Sequence, residues 1–383
     1  MSSLSLLIGS GVSYYSEIPS ITKITDLVLS GKNITRETDS HYYINKSINP
    51  LNQNHNKQYV TNNIVLLKEL VSAIDEFYSH MNYEHECNYE DIYFVNRQIC
   101  DSYLFEYENP AIIKLIKYLK KKFDISDDEL KEISIETAQY IECVVWRMIN
   151  REISVFDQFD IINHLIKNYS LISIMSLNHD LAIEKYLTCN NIEYDDGFEV
   201  RNRKLPEWRS FKNNDPNLKL LKLHGSINWF SVQLRDSIKR NTIMRVPNNI
   251  YPERLYEVHN SIDIGIGRPE LLIGTFNKMW GYLSGIFEEQ YFAFINSLSS
   301  TSIVLVSGYG FGDKGINTKL HNWLNSTHSS KMIIIHPNKR NLVNNARGIF
   351  PHGFMSLRGI HPKILFIEKK FEDVQIEEIH GVL

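Results

Sequence analysis

The sequence is poor in cysteine, and its four cysteines include no Cys-x-x-Cys pair. That absence argues against a zinc ribbon and against a secreted disulfide framework, so we expect no metal site. The sequence also lacks a basic leader with an apolar core, and no apolar run approaches the ~18 residues that a bilayer span needs. These absences predict a soluble protein of the cytoplasm.

Neither sign of charge is in large excess. The 383 residues contain 41 Lys and Arg against 45 Asp and Glu, a net charge of −4. A bulk electrostatic nucleic-acid binder would be basic overall or on one face, so we expect no direct nucleic-acid binding. The sequence shows no internal repeat, Walker lysine or metal-ligand spacing. Its length predicts two domains, or one domain with a large insertion.

Five short apolar runs each end in a cluster of polar residues and glycine. Short strands that alternate with helices are typical of an α/β fold with a parallel sheet. The expected strands cover residues 4–8, 171–175, 218–223, 303–306 and 332–335. In a parallel sheet, ligands bind beyond the carboxyl ends of the strands, so we expect the polar clusters to line one crevice.

Apolar residues recur with helical period between the first and second of these strands. Helices are expected from about Ile64, after Pro110, from Ser126 to about Asn150, and over residues 156–168. The polar segment 32–57 is expected to be a surface excursion. The pattern predicts an α/β domain built from residues 1–55 and 156–383, with an all-helical insertion over residues 56–155.

The first strand is followed by Gly9 and Gly11, which let a backbone turn tightly and approach a phosphate with its N–H groups. A tight turn without a ligand is the equal alternative. Asn178 could hold a ribose hydroxyl or orient a water, or it could satisfy a turn. His224 could act as a general base, or be a buried, hydrogen-bonded histidine. Asp313 could contact a cofactor, or cap the helix that follows it.

These segments resemble the motifs of the sirtuin family, in the family's order. Gly9-Ser10-Gly11-Val12-Ser13 with Ile18-Pro19 resembles its first glycine loop. Asn178-His179-Asp180 resembles its Asn-x-Asp motif, and His224-Gly225 its His-Gly motif. Residues 308–313 are similar to a later nucleotide loop of sirtuin-like bacterial proteins. The matches extend from residue 6 to about 338 and leave the helical insertion uncovered. The resemblance implies a Rossmann-like parallel sheet that binds NAD.

Three departures from the family pattern matter. The two Cys-x-x-Cys pairs of deacetylating sirtuins are absent, Glu17 stands where a glycine is usual, and residues 226–229 follow the His-Gly motif in place of a zinc module. These features resemble the zinc-less branch that hydrolyses NAD in bacterial antiphage defence, in its stand-alone type paired with a HerA-like ATPase. The resemblance implies a homo-oligomer with NAD as substrate, without zinc and without a membrane partner.

The resemblance also implies the roles of residues. Asn178 would orient the attacking water, and His224 would contact the ribose and act as the base. The residues implied to bind NAD are Gly9, Ser10, Gly11, Ser13, Ile18, Pro19, Asp180, Gly225, Ser226, Gly308, Tyr309, Asp313 and Asn338. The implied function is an NAD glycohydrolase that depletes NAD during infection. Alternatives are an NAD-dependent deacylase or ADP-ribosyltransferase, and a non-catalytic scaffold that senses NAD or ADP-ribose.

Overall fold

The computed structural model describes residues 2–37, 40–45, 53–80, 86–104, 109–200, 205–211, 218–234, 241–247, 262–350, 355–356 and 359–382. The strands are β1 Ser3–Ile8, β2 Ile34–Arg36, β3 Tyr42–Ile44, β4 Ser170–Ser176, β5 Tyr194–Asp195, β6 Phe198–Glu199, β7 Glu207–Trp208, β8 Leu218–Lys222, β9 Gly225–Leu234, β10 Asn241–Arg245, β11 Ile262–Leu271, β12 Ile303–Ser307, β13 Lys331–Ile335, β14 Met355–Ser356, β15 Gly359–Ile360 and β16 Ile364–Ile367.

The α-helices are α1 Ile21–Ser30, α2 Gln53–His80, α3 Tyr89–Leu104, α4 Ile113–Phe123, α5 Asp127–Ile149, α6 Ile161–Asn168, α7 Ala182–Cys189, α8 Asn277–Gly281, α9 Gly285–Ser299, α10 Lys314–Ser326, α11 Lys339–Asn345 and α12 Ile376–Val382. The chain forms two compact units. The first contains Met1–Ile18, Asn150–Leu272 and Lys278–Leu383, and the second contains Pro19–Ile149 and Ile273–Asn277.

The first unit is built on a parallel sheet with the strand order β16-β13-β12-β1-β4-β8-β5. The five strands expected from the sequence are contiguous in it, as β13-β12-β1-β4-β8. Their apolar runs are continuous because helices cover both faces of such a sheet. Leu6 and Leu7, whose side chains point to opposite faces of β1, are both fully buried. The predicted α/β, Rossmann-like fold with a helical insertion is confirmed.

The direction of the chain through this sheet reverses at β1. From β1 the chain passes to β4 and β8 on one side, then returns to β12 and β13 on the other. In open α/β sheets, a reversal of this kind opens a crevice outside the carboxyl ends of the strands. The loops after β1, β4, β8 and β12 all lie at that edge.

A second sheet in the first unit was not expected from the sequence. Strands β11, β9, β10, β7 and β6 form an antiparallel sheet, and its strand β9 begins at Gly225, shortly after β8. Its aromatic cluster joins segments far apart in the chain. Trp229 packs 5.2 Å from Phe198 and 6.2 Å from Trp208, measured between ring centroids. Pairing of this kind depends on contacts between distant segments, which local periodicity does not reveal.

The second unit contains helices α1–α5 and the β2–β3 hairpin. Helix α5 begins with a capping box, in which Ser126 Oγ accepts from the Glu129 N–H at 3.2 Å and Glu129 Oε2 accepts from the Ser126 N–H at 2.8 Å. The segment expected to be a polar excursion is partly buried, because Tyr42 on β3 packs edge-on against Tyr140 at 5.0 Å. Residues 46–52 of that segment lie outside the described residues. None of the described helices combines the length and hydropathy of a membrane span.

Candidate functional site

The loops after β1 and β12 touch backbone to backbone. Gly9 donates its N–H to the Ser307 carbonyl oxygen at 2.9 Å, and Gly11 donates to the Gly308 oxygen at 2.9 Å. A Cβ on Gly9 would lie 2.5 Å from the Gly308 oxygen, and one on Gly11 would lie 2.7 Å from the Gly308 Cα. Because these distances are shorter than any ordinary contact, the glycines are required for the two loops to approach.

The amides of the first glycine loop are hydrogen-bonded within the protein. Residues 10–12 form a 3₁₀ turn, in which the Val12 and Ser13 N–H groups donate to the carbonyl oxygens of Gly9 and Ser10 at 3.2 and 3.1 Å. Together with the bonds of Gly9 and Gly11, these contacts give four of the loop's amides an acceptor within the protein. The sequence left a phosphate-binding loop and a tight turn as equal alternatives, and these bonds are those of a tight turn. Phosphate binding by the loop stays a prediction.

The side chain of Asn178 joins the ends of two neighbouring strands. It follows β4, and its Nδ2 donates to the Gly9 carbonyl oxygen at 3.0 Å and to Ser13 Oγ at 2.8 Å. Asn178 is only 5% exposed, and its Oδ1 has no hydrogen-bond partner in the described part of the protein. A buried acceptor without a donor costs free energy, so this oxygen marks a position where a ligand or water donates.

The next residue, His179, is also buried, and its Nδ1 has no hydrogen-bond partner among the described residues. Burial lowers the pKa of His179 well below its usual value, and the charges of His224, Lys278 and Lys222 lower it further. The imidazole is therefore neutral, and its ring centroid lies 6.2 Å from that of His224. His179 was quoted in the Asn-x-Asp motif without a role, and its burial gives it one as a second unpaired acceptor.

A buried lysine supports the loop that carries Asn178. Lys222, at the end of β8, is 1% exposed and donates from Nζ to the Asp180 carbonyl oxygen. The same ammonium group lies 3.0 Å from Glu184 Oε1. Burial raises the pKa of Glu184, and the charge and hydrogen bond of Lys222 oppose that shift. The Asp180 carboxylate accepts from the Ala182 N–H at 2.9 Å, so it holds the start of α7.

His224 is held in the turn between β8 and β9 by its neighbour Gly225. Gly225 has φ +81°, and a Cβ there would lie 2.0 Å from the Glu270 carbonyl oxygen. The His224 carbonyl oxygen accepts from the Leu272 N–H at 2.9 Å. The strand that starts here contacts the Asn178 loop, because the Ile227 N–H donates to the His179 oxygen at 3.0 Å. Ser226 is fully buried, with its Oγ 3.5 Å from that same oxygen.

The side chain of His224 belongs to a closed triangle of buried groups. Its Nε2 lies 3.0 Å from Asp313 Oδ2 and 2.8 Å from the Tyr282 hydroxyl, which donates to Asp313 Oδ2 at 2.7 Å. Burial opposes ionisation of Asp313, but the hydrogen bond and charge of His224 outweigh it and lower the pKa of the carboxyl to about 2. Burial and Asp313 raise the pKa of Tyr282, so its hydroxyl keeps its proton.

The structure shows one of the two roles that the sequence left open for Asp313, the cap of the helix that follows it. Its Oδ1 caps α10 by accepting from the Ile316 N–H at 3.0 Å, while its Oδ2 faces His224. The resemblance implied that this residue binds NAD, and that role stays a prediction. Tyr309 is buried, and its hydroxyl bonds the Asp313 backbone N–H at 3.1 Å and Asn317 Oδ1 at 2.8 Å. Tyr309 therefore holds its own loop.

The remaining predicted site residues are Asn338, Pro19, Ile18 and Ser10. Asn338 is exposed and caps α11, where its Oδ1 accepts from the Asn341 N–H at 2.9 Å. Pro19 is the first residue of the second unit, whereas Ile18 is buried in the first unit and donates to the Ser13 oxygen at 3.3 Å. Ser10 is exposed on the glycine loop.

No motif in the sequence marks Tyr282 or Lys222. Tyr282 follows the short helix α8 and is one of 21 tyrosines, with no motif around it. Lys222 is the last residue of an apolar strand, a position where a polar residue is ordinary. Among the described residues, no group of three or more His, Cys, Asp or Glu side chains is placed to hold a metal ion.

Comparison with known proteins agrees with this arrangement. No curated protein matches the chain. Residues 172–348 match the family model of the SIR2-like domain. That match spans just under half of the chain and covers Asn178, His224 and Asp313, but not the first glycine loop. The chain is therefore similar to SIR2-like proteins over these residues, and the match supports a sirtuin-like family, whose domains use NAD.

Proposed function

We propose that this protein is an NAD glycohydrolase, which cleaves NAD to nicotinamide and ADP-ribose. The observation that carries the proposal is the buried Asn178 Oδ1, an acceptor without a donor beside the close-packed loops of Gly9 and Gly308. His179 Nδ1 is a second such acceptor. Acceptors of this kind fit a polar ligand rich in hydroxyl and amide donors, as the nicotinamide riboside half of NAD is.

The residues around Asn178 suit hydrolysis of an N-glycosidic bond. The bond between nicotinamide and ribose breaks through an oxocarbenium-like transition state, as in glycoside hydrolysis. Its electron pair leaves with nicotinamide, and the oxygen of a water bonds to the ribose C1′. In our proposal Asn178 orients that water, and His224 takes its proton and releases it to solvent. The Asp313 carboxylate, 3.0 Å from His224 Nε2, stabilises the imidazolium that forms.

The biological role that we propose is depletion of NAD in the cytoplasm as an antiphage defence. It rests on the family resemblance, as do two further proposals: assembly into a homo-oligomer, and pairing with a HerA-like ATPase. In this view the enzyme is inactive until infection releases it.

The test is NAD turnover by the purified chain, alone and with the protein encoded beside it. We expect nicotinamide and free ADP-ribose in equal amounts, and a loss of at least ~10²-fold in rate in Asn178→Ala and in His224→Ala. The matched control is His328→Ala, at an exposed histidine. Near-wild-type turnover in both site variants would overturn the assignment.

The products separate the alternatives. ADP-ribose linked to protein or to an acetyl group would indicate a transferase or deacylase. NAD that stabilises the protein against heat but stays intact, alone and with the partner, would indicate a sensing scaffold.

A further inference from the structure

The hydrogen bonds of the His224–Tyr282–Asp313 triangle show which of its atoms can donate a proton to His224 and which can only accept one. The Tyr282 hydroxyl has a single proton and donates it to Asp313 Oδ2 at 2.7 Å. Its oxygen, 2.8 Å from His224 Nε2, is then left as an acceptor. The Asp313 carboxylate, 3.0 Å from the same nitrogen, can only accept because it is ionised. Both of these oxygens therefore face Nε2 as acceptors.

We propose that Tyr282 and Asp313 are positioning residues that keep the proton of His224 on Nε2, so that Nδ1 is the nitrogen that accepts a proton. The alternative tautomer would point the Nε2 lone pair at a carboxylate across 3.0 Å, in a buried site where that repulsion is strong. The role of Nδ1 as the base rests on the proposed function. The position of the proton on Nε2 does not depend on that function.

The ring of Tyr282 is fixed by its neighbours, which is why its hydroxyl can act as a stable part of the triangle. It stacks on Tyr291 with 4.4 Å between ring centroids and an angle of 10°. Its backbone N–H donates to the Lys278 oxygen at 3.0 Å. Tyr291 itself points its hydroxyl elsewhere, to the Gly315 oxygen at 3.2 Å, and does not enter the triangle.

Other titratable groups act on the same region. The His179 ring lies 6.2 Å from the His224 ring, and the ammonium groups of Lys222 and Lys278 add positive charge near His179. Lys278 also helps to lower the pKa of Asp313. These charges favour the ionised carboxylate, which keeps Asp313 an acceptor.

Asp313→Asn tests the tautomer directly. The cap on Ile316 needs an oxygen at the Oδ1 position, so the asparagine would place its NH₂ group where Oδ2 now faces His224. That donor requires a lone pair on Nε2, and the proton moves to Nδ1. Imidazole NMR of the full chain with isotope-labelled histidine reads the tautomer, and the signal is assigned by its loss in His224→Gln.

We expect His224 to carry its proton on Nε2 in the wild type and on Nδ1 in Asp313→Asn. For NAD hydrolysis, we expect Asp313→Asn to lose at least ~10²-fold in kcat with KM changed less than ~3-fold, since tautomer and not binding is altered. Tyr282→Phe should lose ~10-fold in kcat, and the matched Tyr291→Phe should stay within ~2-fold.

A wild-type His224 with its proton on Nδ1 would overturn the inference even if Asp313→Asn does not fold. An unchanged tautomer in folded Asp313→Asn would overturn it as well. If Tyr282→Phe and Tyr291→Phe have equal kcat, Tyr282 is not a positioning residue for His224. If the chain does not hydrolyse NAD, the proposed function fails, while the NMR result still decides the tautomer.

Discussion

The side-chain amide of Asn178 donates to the carbonyl oxygen of Gly9 at 3.0 Å, across the boundary between β4 and β1. The same nitrogen also donates to Ser13 Oγ at 2.8 Å. The NH₂ group must face the glycine loop, since the Gly9 carbonyl oxygen can only accept, and Oδ1 must face away from it. The orientation of the unpaired acceptor therefore follows from the packing of two strand ends.

Asn178→Asp should test this orientation. The carboxylate would replace a donor by an acceptor opposite the Gly9 oxygen, which keeps the Val12 N–H as a donor but would face a buried carboxylate oxygen. We expect a loss of about 1–3 kcal/mol in the free energy of unfolding, measured by urea denaturation. Asn322→Asp, at an exposed position of α10, is the control and should change stability by less than about 0.5 kcal/mol. Equal midpoints for the two variants would contradict the assignment of the amide.

Lys222→Met should be strongly destabilising. It removes the donor to the Asp180 carbonyl oxygen and leaves Glu184 buried without its cation. Breaking a buried pair by removing one partner costs about 3–5 kcal/mol. The double variant Lys222→Met with Glu184→Gln should recover most of that lost stability. Lys219→Met, at a partly exposed position of the same strand, is the matched control. A double variant as unstable as the single one would contradict the role of the ion pair.

The pairing of Asp313 with His224 predicts a pH dependence of stability. The folded protein lowers the pKa of Asp313 from 3.8 to about 2, so the carboxylate stabilises the fold above the unfolded pKa. This contribution, about 2 kcal/mol, should disappear as the pH falls from about 4 towards 2. The measurement is the difference in unfolding free energy between wild type and Asp313→Asn across that range, with Asp128→Asn at an exposed site as the control. A difference that does not change with pH would refute the coupling.

Glu17→Gly should be neutral or stabilising. Glu17 has φ +60°, in the left-handed region where glycine is favoured, and it stands at the position where the sirtuin motif has a glycine. Relief of this strain, about 1–2 kcal/mol, is partly offset by the greater freedom of glycine in the unfolded chain. The bond from Arg151 to the Glu17 carbonyl oxygen uses the backbone and survives the change. Thermal unfolding should place Glu17→Gly at or above wild type and Glu17→Val below it, and the reverse order would contradict the interpretation.

Local sequence patterns predict one part of this site and not the other. The strands and the residues directly after them, such as Asn178 and His224, follow from apolar runs and the parallel arrangement that those runs require. Tyr282 reaches His224 only through the path of the chain after β11, and nothing in its local sequence marks that position. The hydrogen bonds of the first glycine loop could not be predicted locally either. Gly11 donates to Gly308, a partner 297 residues further along the sequence.

The close approach of those two loops yields the sharpest prediction for the fold. Gly308 has φ +65°, and a Cβ there would lie 2.5 Å from the Val12 backbone nitrogen and 2.8 Å from the Gly9 oxygen. We expect Gly308→Ala to destabilise the protein by about 2 kcal/mol or more, because left-handed backbone strain adds to a clash with rigid backbone.

The same loop provides the control for that variant. A Cβ on Gly310 would meet no atom within 4 Å, so Gly310→Ala should change the unfolding free energy by less than about 0.5 kcal/mol. Urea denaturation of both variants measures the difference, and NAD turnover at a temperature where both are folded measures its effect on the site. Because the Gly9 oxygen also receives the Asn178 amide, Gly308→Ala should lower turnover and Gly310→Ala should not. If the two alanine variants unfold at the same urea concentration, the loops do not pack as the structure describes.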